Sequence, residues 1–408
     1  MLDYSVVVRN TNKYVEVLKS LGGRLNKRHD VLHWGPALRR RAQFLFSAGW
    51  RRLDCQPDGP PARQTGAEAA TDAGENMSSL HQSAAPALSN AAATTAGRPR
   101  SIADLPAQRA AEPQSDAQRR ALYYNTGNAF NLRWPEVPDN SFTEEPARAL
   151  AADTPTGLIA CDRSRDLGTS YAATTPLVLA YYARINAGDK LNTNFEASGV
   201  MIYVMVGSGT SQCADEQVHW RAGDVFMLPG GVPATHEAGG QAAVLWIVTN
   251  EPQLAFEHLR GPAPGNAPTD VVHFTADEIQ RQIDLLYAVG RSNDIAGSAL
   301  IFSSTKQEAI RNVLPTMTVA MNSLEPGASQ RAHRHNSVAV SLVIEGSGCH
   351  SVVDGRRKDW APWVTTVTPA TSVHSHHNAG DRRAMFLIVQ DGGLYYYTRA
   401  LGFSFVDA

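Results

Sequence analysis

The chain has 408 residues, of which 43% are hydrophobic and 19% charged, and a formal net charge of -2 at pH 7. That length accommodates two domains with substantial cores, and the near-neutral balance offers no general attraction to nucleic acid or to a membrane surface. Four scattered cysteines (Cys55, Cys161, Cys213 and Cys349) form no C-x-x-C pair, which argues against a disulfide framework or a thiolate zinc site and fits a reducing cytoplasm.

Residues 1–53 hold eleven Lys or Arg against three Asp or Glu. The stretch lacks the fold pattern and aromatic interleaving of a nucleic-acid arm, and reads as an extension or as sequence upstream of a start at Met77. Residues 56–119 are rich in Ala, Pro, Ser, Thr and Gly without a sustained period, the composition of a disordered linker. Residues 1–119 are therefore expected to be a disordered N-terminal extension. No apolar run approaches 18 residues and no charged-then-apolar leader is evident, so a soluble cytoplasmic protein is the expectation.

From Pro176 onward, runs such as VMIYVMVG, VFMLPGG, VLWIV, LVIEG and MFLIV are broken by Gly, Pro and Asp. Many short strands at such spacing predict an all-β sandwich or barrel. Between two sets of these runs, TADEIQRQIDLLYAVG predicts a helix. Thr275 and Glu278 have capping-box spacing, Ile279, Ile283 and Leu286 make an apolar stripe, and Gly290 can end it.

The chain also repeats itself. Residues 188–209 align without a gap to 327–348, placing Gly188 on Gly327 and one G-S-G on the other. One inserted residue later, Trp220 and Pro229 fall on Trp360 and Pro369. So long a period means duplicated domains: a first β-domain over 120–255, a helical linker over 256–298 and a second β-domain over 299–408.

In the second copy, RAHRHNSVAVSLVIEG sends His333 and His335 to one face of a strand. A third histidine, His374, follows Pro369 by five residues, and Asp354-Gly355 is a hairpin turn that can bring the segments together. Three neutral imidazoles suit iron, zinc, copper or nickel and leave coordination positions open. The first copy has Asn194, Glu196 and Ala234 there, a poor metal site, with His236 falling on His376. One metal site in the second copy and a supporting role for the first are expected.

The pattern G-x5-H-x-H, G-S-G, then P-x4-H-x-H-x-N resembles the two cupin motifs. More narrowly, AHRHNSVAVSLVIEGSGCHSVVDG and TPATSVHSHHN resemble the metal-binding cupin of gentisate 1,2-dioxygenases, a group related to enzymes acting on salicylate and 1-hydroxy-2-naphthoate. The resemblance covers about residues 120–408 and implies two jelly-roll (double-stranded β-helix) barrels with a few connecting helices. It also implies Fe(II) on His333, His335 and His374, a small aromatic acid and O2 as substrates, and a homo-oligomer, often a tetramer. An extradiol-type non-haem iron dioxygenase follows as the expected enzyme.

Two departures stand out. The intact triad lies in the C-terminal copy, whereas the family usually has it in the N-terminal one, and Ser341 stands where members often carry a carboxylate-holding Arg. Arg331, two residues before His333, is the expected substitute for substrate binding and catalysis. His376 is the expected acid or base, and Asn378 and Trp363 the further substrate contacts; Tyr395–Tyr397 are possible stacking groups on a strand. Ala339 and Val340 replace the carboxylate ligand of many cupins, leaving an all-histidine site. A metal-dependent isomerase or decarboxylase and a non-enzymatic small-molecule-binding bicupin are the alternatives.

Overall fold

The computed structural model describes residues 99–289 and 297–406, together with the backbone of three short N-terminal strands. Those strands, β1 (Val6–Val7), β2 (Arg24–Asn26) and β3 (Val31–His33), form one antiparallel sheet within a separate unit, residues 1–94. Most of the expected extension over 1–119 lies outside the described residues. Its described part carries a 3-10 turn at Ile102–Asp104 and a helix at Asp116–Arg120, whose Ser115 side chain accepts from the Gln118 N–H.

Two barrels fill the remainder. Strand β4 (Ser141–Phe142) precedes the first, which comprises β5 (Gly157–Ala160), β6 (Leu179–Ile185), β7 (Lys190–Thr193), β8 (Gly199–Val206), β9 (Ser208–Cys213), β10 (Glu216–Arg221), β11 (Val225–Pro229), β12 (Ala234–Ala238), β13 (Ala243–Thr249) and β14 (Val272–Phe274). Its sheets run β14-β11-β8-β13-β6-β5 and β10-β9-β12-β7. The second has β15 (Ser298–Ile301), β16 (Thr318–Leu324), β17 (Ser329–His335), β18 (Ala339–Glu345), β19 (Cys349–Val353), β20 (Arg356–Asp359), β21 (Thr365–Thr368), β22 (His374–Asn378), β23 (Ala384–Gln390) and β24 (Phe403–Phe405). These pair as β15-β16-β23-β18-β21-β4 and β20-β19-β22-β17-β24. The Asp354-Gly355 turn forms as the sequence suggests, with φ +46° and +77° between the paired Val353 and Arg356, the geometry a two-residue hairpin demands.

The barrels pack through their six-stranded sheets, which explains why several strands read as continuous rather than alternating apolar runs. In β8, seven of the eight residues are buried: Ile202 and Val204 fill their own barrel, while Met201, Tyr203 and Met205 join Val340, Leu342, Leu387 and Val389 in a core shared by both. Tyr182 and Trp246 seal that interface by bonding Thr365 Oγ1 at 2.6 and 3.0 Å. Strand β4 lies before the first barrel in sequence but pairs with β21 of the second, where half-buried Asp139 meets Lys358 and, at 3.2 Å, Arg356.

The linker helix spans Ala276–Ala288 and buries Ile279 and Ile283; Gly290 lies outside the described residues. The expected capping box does not form. Glu278 turns to Arg281 and Gln282, and the buried carboxylate of Asp224 instead accepts from the Ala276 N–H at 2.7 Å, a tertiary cap that satisfies a first-turn donor. Among the described residues no helix is long and apolar enough to cross a membrane.

Candidate metal centre

The interiors of the two barrels differ in kind. The first is filled by Phe195, Ile202, Phe226, Leu245 and other apolar residues. The second has, among the described residues, a small apolar cluster of Leu324, Cys349, Ala384 and Phe386, with Trp360 and Ile388 against it. The rest of its interior is a cavity of about 760 Å³ walled partly by His333, His335, His374 and His376.

His333 and His374 are direct cross-strand partners on β17 and β22, and their rings lie 4.3 Å apart. With His335 they form a group whose ligand nitrogens all fall within 4.8 Å of one another. Each ring is fixed through Nδ1 by a backbone carbonyl two residues away: Arg331 O for His333 at 2.8 Å, Ser337 O for His335 at 2.8 Å, and Ser372 O for His374 at 2.9 Å. A carbonyl only accepts, so Nδ1 carries the proton and the Nε2 lone pair is left for a metal. Burial holds all three neutral, depressing His333 and His335 and bringing His374 to about 3. Deprotonated, convergent and oriented, this donor set fits a first-row divalent ion.

The face on which these ligands meet depends on a β-bulge. Gln330 pairs with His376 and His333 with His374, so β17 spends three steps where β22 spends two. The extra residue breaks the alternation expected for Arg331. Gln330 is the buried neighbour that lines the cavity, whereas Arg331 is exposed, its guanidinium 4.3 Å above the Phe405 ring. What Arg331 supplies to the site is its carbonyl.

The same bulge corrects the gap-free alignment of the copies. Ala234 pairs with Thr193, so the residues matching His333 and His335 inside the first barrel are Thr193 and Phe195, both buried. Asn194 and Glu196 face outward, and Glu196 bonds the Gly261 N–H at 2.9 Å. The three-residue set Asn194, Glu196 and His236 does not assemble.

His376 is buried beside the triad, its ring 5.8 Å from that of His374. The Trp360 N–H donates to Ser351 Oγ at 2.8 Å and that hydroxyl meets His376 Nδ1 at 2.8 Å. Among the described residues His376 Nδ1 is the one acceptor that this hydroxyl meets, so the serine proton goes to Nδ1 and the neutral ring carries its own proton on Nε2 at the cavity wall. Burial and the neighbouring imidazoles depress its pKa well below the usual value, so His376 is a neutral donor.

Asn378 lies elsewhere. Its amide donates to Leu324 O and Arg382 O and accepts from the Gly380 N–H, at 2.8 to 2.9 Å, tying loops together rather than facing the cavity. Trp363 also sits outside it, at φ +71° and packed on the core shared by the barrels. Tyr395–Tyr397 are helical, in Gly392–Tyr397, and Tyr396 alone of them reaches the cavity.

Sequence reasoning passed over two residues. Gln390 ends β23 with its amide 3.3 Å from His335 Nε2. Arg311, in the turn after Thr305–Gln307, is the only cation among the described residues lining the cavity, which include no carboxylate. Its backbone holds φ +55°, a region that non-glycine residues seldom adopt and that clusters at functional sites. Neither residue belongs to a motif, although a lone arginine after a helical turn and a polar end to an apolar strand were visible signals.

Two barrels of this topology, one with a histidine triad inside, make a bicupin fold. Residues 320–390 match the cupin domain family. In sequence the chain is similar to 5-nitrosalicylic acid 1,2-dioxygenase from Bradyrhizobium sp, 32% identical over 22% of this chain and 42% of that one. It is also similar to gentisate 1,2-dioxygenase from Ralstonia sp, 27% identical over 35% and 41%. The matches thus span less than half the length of these curated relatives. In structure it is similar to salicylate 1,2-dioxygenase from Pseudaminobacter salicylatoxidans, with a TM-score of 0.58 and 13% identity over 68% of this chain and 91% of that one. The same fold is seen in that enzyme's adduct with gentisate, with a TM-score of 0.59, 11% identity and coverage of 69% and 88%.

Proposed function

We propose that the chain is a ring-cleaving dioxygenase of hydroxylated aromatic carboxylic acids, using Fe(II) held by His333, His335 and His374 and O2 as co-substrate. The observation that carries this reading is the all-neutral triad in a cavity whose only cationic lining residue, among those described, is Arg311. Similarity to three ring-cleaving dioxygenases, including one for 1-hydroxy-2-naphthoate from Nocardioides sp. (strain KP7), supports it. When bound, the iron would supply the redox chemistry that joins O2 to the ring; extradiol-type cleavage is part of the same proposal.

The chain's own residues bind and orient. Three uncharged ligands leave the ion's full charge to attract an anion, and among the described lining residues no carboxylate repels it. Arg311, rather than Arg331, offers a guanidinium fork to the substrate carboxylate. His376 donates an Nε2–H bond to an oxygen in the cavity, and the Ser351–Trp360 chain keeps that proton facing inward. Tyr396 and Phe403 supply aromatic walls at the opening. Assembly as a homo-oligomer belongs to this reading as well.

Oxygen uptake by anaerobically purified, Fe(II)-loaded protein tests it, with gentisate, salicylate and 1-hydroxy-2-naphthoate as the panel and His374→Ala as control. Uptake matched to substrate loss, and absent in the variant, is expected. Tight metal binding with no uptake on the whole panel rejects the reading.

A further inference from the structure

We propose that Gln390 is a fourth protein ligand of the metal centre, a neutral amide doing the job that a carboxylate does in other cupin sites. The inference rests on the metal-centre reading above and extends it to a residue that no motif marks.

The methyl group of Ala339 lines the cavity where an acidic ligand would project, and its direct cross-strand partner is Gln390. Side chains opposite one another on neighbouring strands share one space, so the long side chain on β23 reaches over the short one on β18. It arrives at the ligand nitrogen itself: Gln390 Nε2 is 3.3 Å from His335 Nε2. A metal sits about 2 Å from an imidazole nitrogen along its lone pair, and the amide nitrogen now lies on that lone pair. Metal and amide N–H cannot share it, so metal entry requires the amide to turn.

Ser337 makes the turn inexpensive. Its hydroxyl is 3.3 Å from Gln390 Oε1 and 3.0 Å from His335 Nδ1. A hydroxyl donates or accepts equally well, so rotating the amide by half a turn exchanges an O–H···O bond for an N–H···O bond at the same serine. Oε1 then faces the ion, Gln390 keeps two partners, and the serine proton released from Oε1 turns into the cavity that Ser337 lines. The first barrel supplies the contrast: the position matching Gln390 is Thr249, whose hydroxyl is committed to Glu251 at 2.9 Å, and among its described residues that barrel has no triad.

A neutral fourth ligand has a chemical consequence. An oxygen donor from an amide binds more weakly than a carboxylate and brings no charge, so an anionic bidentate substrate can displace it without opposing a fixed negative group. Gln390 would hold the ion between turnovers and yield when substrate arrives.

The test is metal binding by the full chain, read without turnover. Apo protein is titrated with Co(II), following both the dissociation constant and the visible ligand-field spectrum. Gln390→Leu is expected to weaken Co(II) binding about 10-fold to 100-fold and to alter the spectrum, while Gln390→Glu binds at least as tightly as wild type. An unchanged constant and spectrum in Gln390→Leu overturn the proposal, as does equal weakening in both variants, which would mark a packing role. Wild type that binds no Co(II) or Fe(II) overturns it together with the metal-centre reading. Variant effects on Co(II) with no oxygen uptake on any aromatic acid leave this proposal standing and reject only the dioxygenase.

Discussion

His236 and His376 occupy matching positions in the two barrels and are held by the same chain of side chains. Trp220 donates to Ser211 and Ser211 meets His236 at 2.8 and 2.7 Å; Trp360, Ser351 and His376 repeat the arrangement at 2.8 and 2.8 Å. The difference lies at the other nitrogen. His236 Nε2 is spent on Thr193 Oγ1 at 3.1 Å, whereas the residue matching Thr193 in the second barrel is His333, which faces the ligand cluster. The tryptophan–serine–histidine chain is therefore a structural fixture of the barrel, and in the second barrel its far end lines the cavity. Replacing His376 with Gln should lower kcat with little loss of metal, and Ser351→Ala should do the same to a smaller degree. Loss of bound metal in both variants would show a purely structural role.

Arg311 and Arg331 make opposite predictions. Removing a guanidinium that binds a carboxylate costs about 1.5–3 kcal/mol, so Arg311→Ala should raise KM for an aromatic acid roughly 10-fold to 150-fold with kcat less affected. Arg331→Ala should change KM less than about twofold, because the bulge has carried that side chain out onto Phe405. Steady-state kinetics with one aromatic acid decides between them, and the reverse ranking would restore the alternation that the bulge breaks.

Acid should weaken the first barrel through His236. Burial lowers its pKa to about 4, against about 6.5 in an unfolded chain. Above 6.5 neither state is protonated and the full stability is present. As pH falls from 6.5 toward 4 the unfolded chain takes up a proton that the folded one refuses, and the loss levels off near about 3 kcal/mol. Asp391 acts in the opposite sense: burial raises its pKa to about 6, so its contribution is full below about 4 and fades as pH rises through 6. Chemical denaturation at pH 7 and pH 4 isolates the histidine. The stability gap between wild type and His236→Asn should shrink by about 3 kcal/mol at the lower pH, and a constant gap would contradict the assignment.

The interface between the barrels can be tested at one hydroxyl. Tyr182 is fully buried and bonds both Thr365 Oγ1 and Trp363 O. Tyr182→Phe leaves that carbonyl and hydroxyl short of a partner and should cost about 1–3 kcal/mol, seen as a lower denaturation midpoint. A neutral result would mean that the hydrophobic contacts around Trp246 carry the interface alone.

How much of this was legible beforehand depends on the range of the interaction involved. The duplication, the short strands, the Asp354-Gly355 hairpin and the three clustered histidines are written in local pattern: period-two alternation, turn chemistry and a repeat that keeps its order. These are fixed by sterics and burial within a few residues, so the sequence by itself determined that one copy carries a triad and the other does not. What lay beyond reach were features set by contacts between distant segments. A single bulge in β17 decided that Gln330 faces inward and Arg331 outward, and moved the matching positions in the first barrel from Asn194 and Glu196 to Thr193 and Phe195. Packing between barrels claimed Trp363, loop hydrogen bonds claimed Asn378, and Asp224 displaced the local cap of the linker helix. Arg311 and Gln390 join the site only because the fold brings a turn and a strand end to the same cavity. Side-chain direction and partnership are properties of the folded whole, because they follow from which strand lies alongside, and that only the tertiary structure decided.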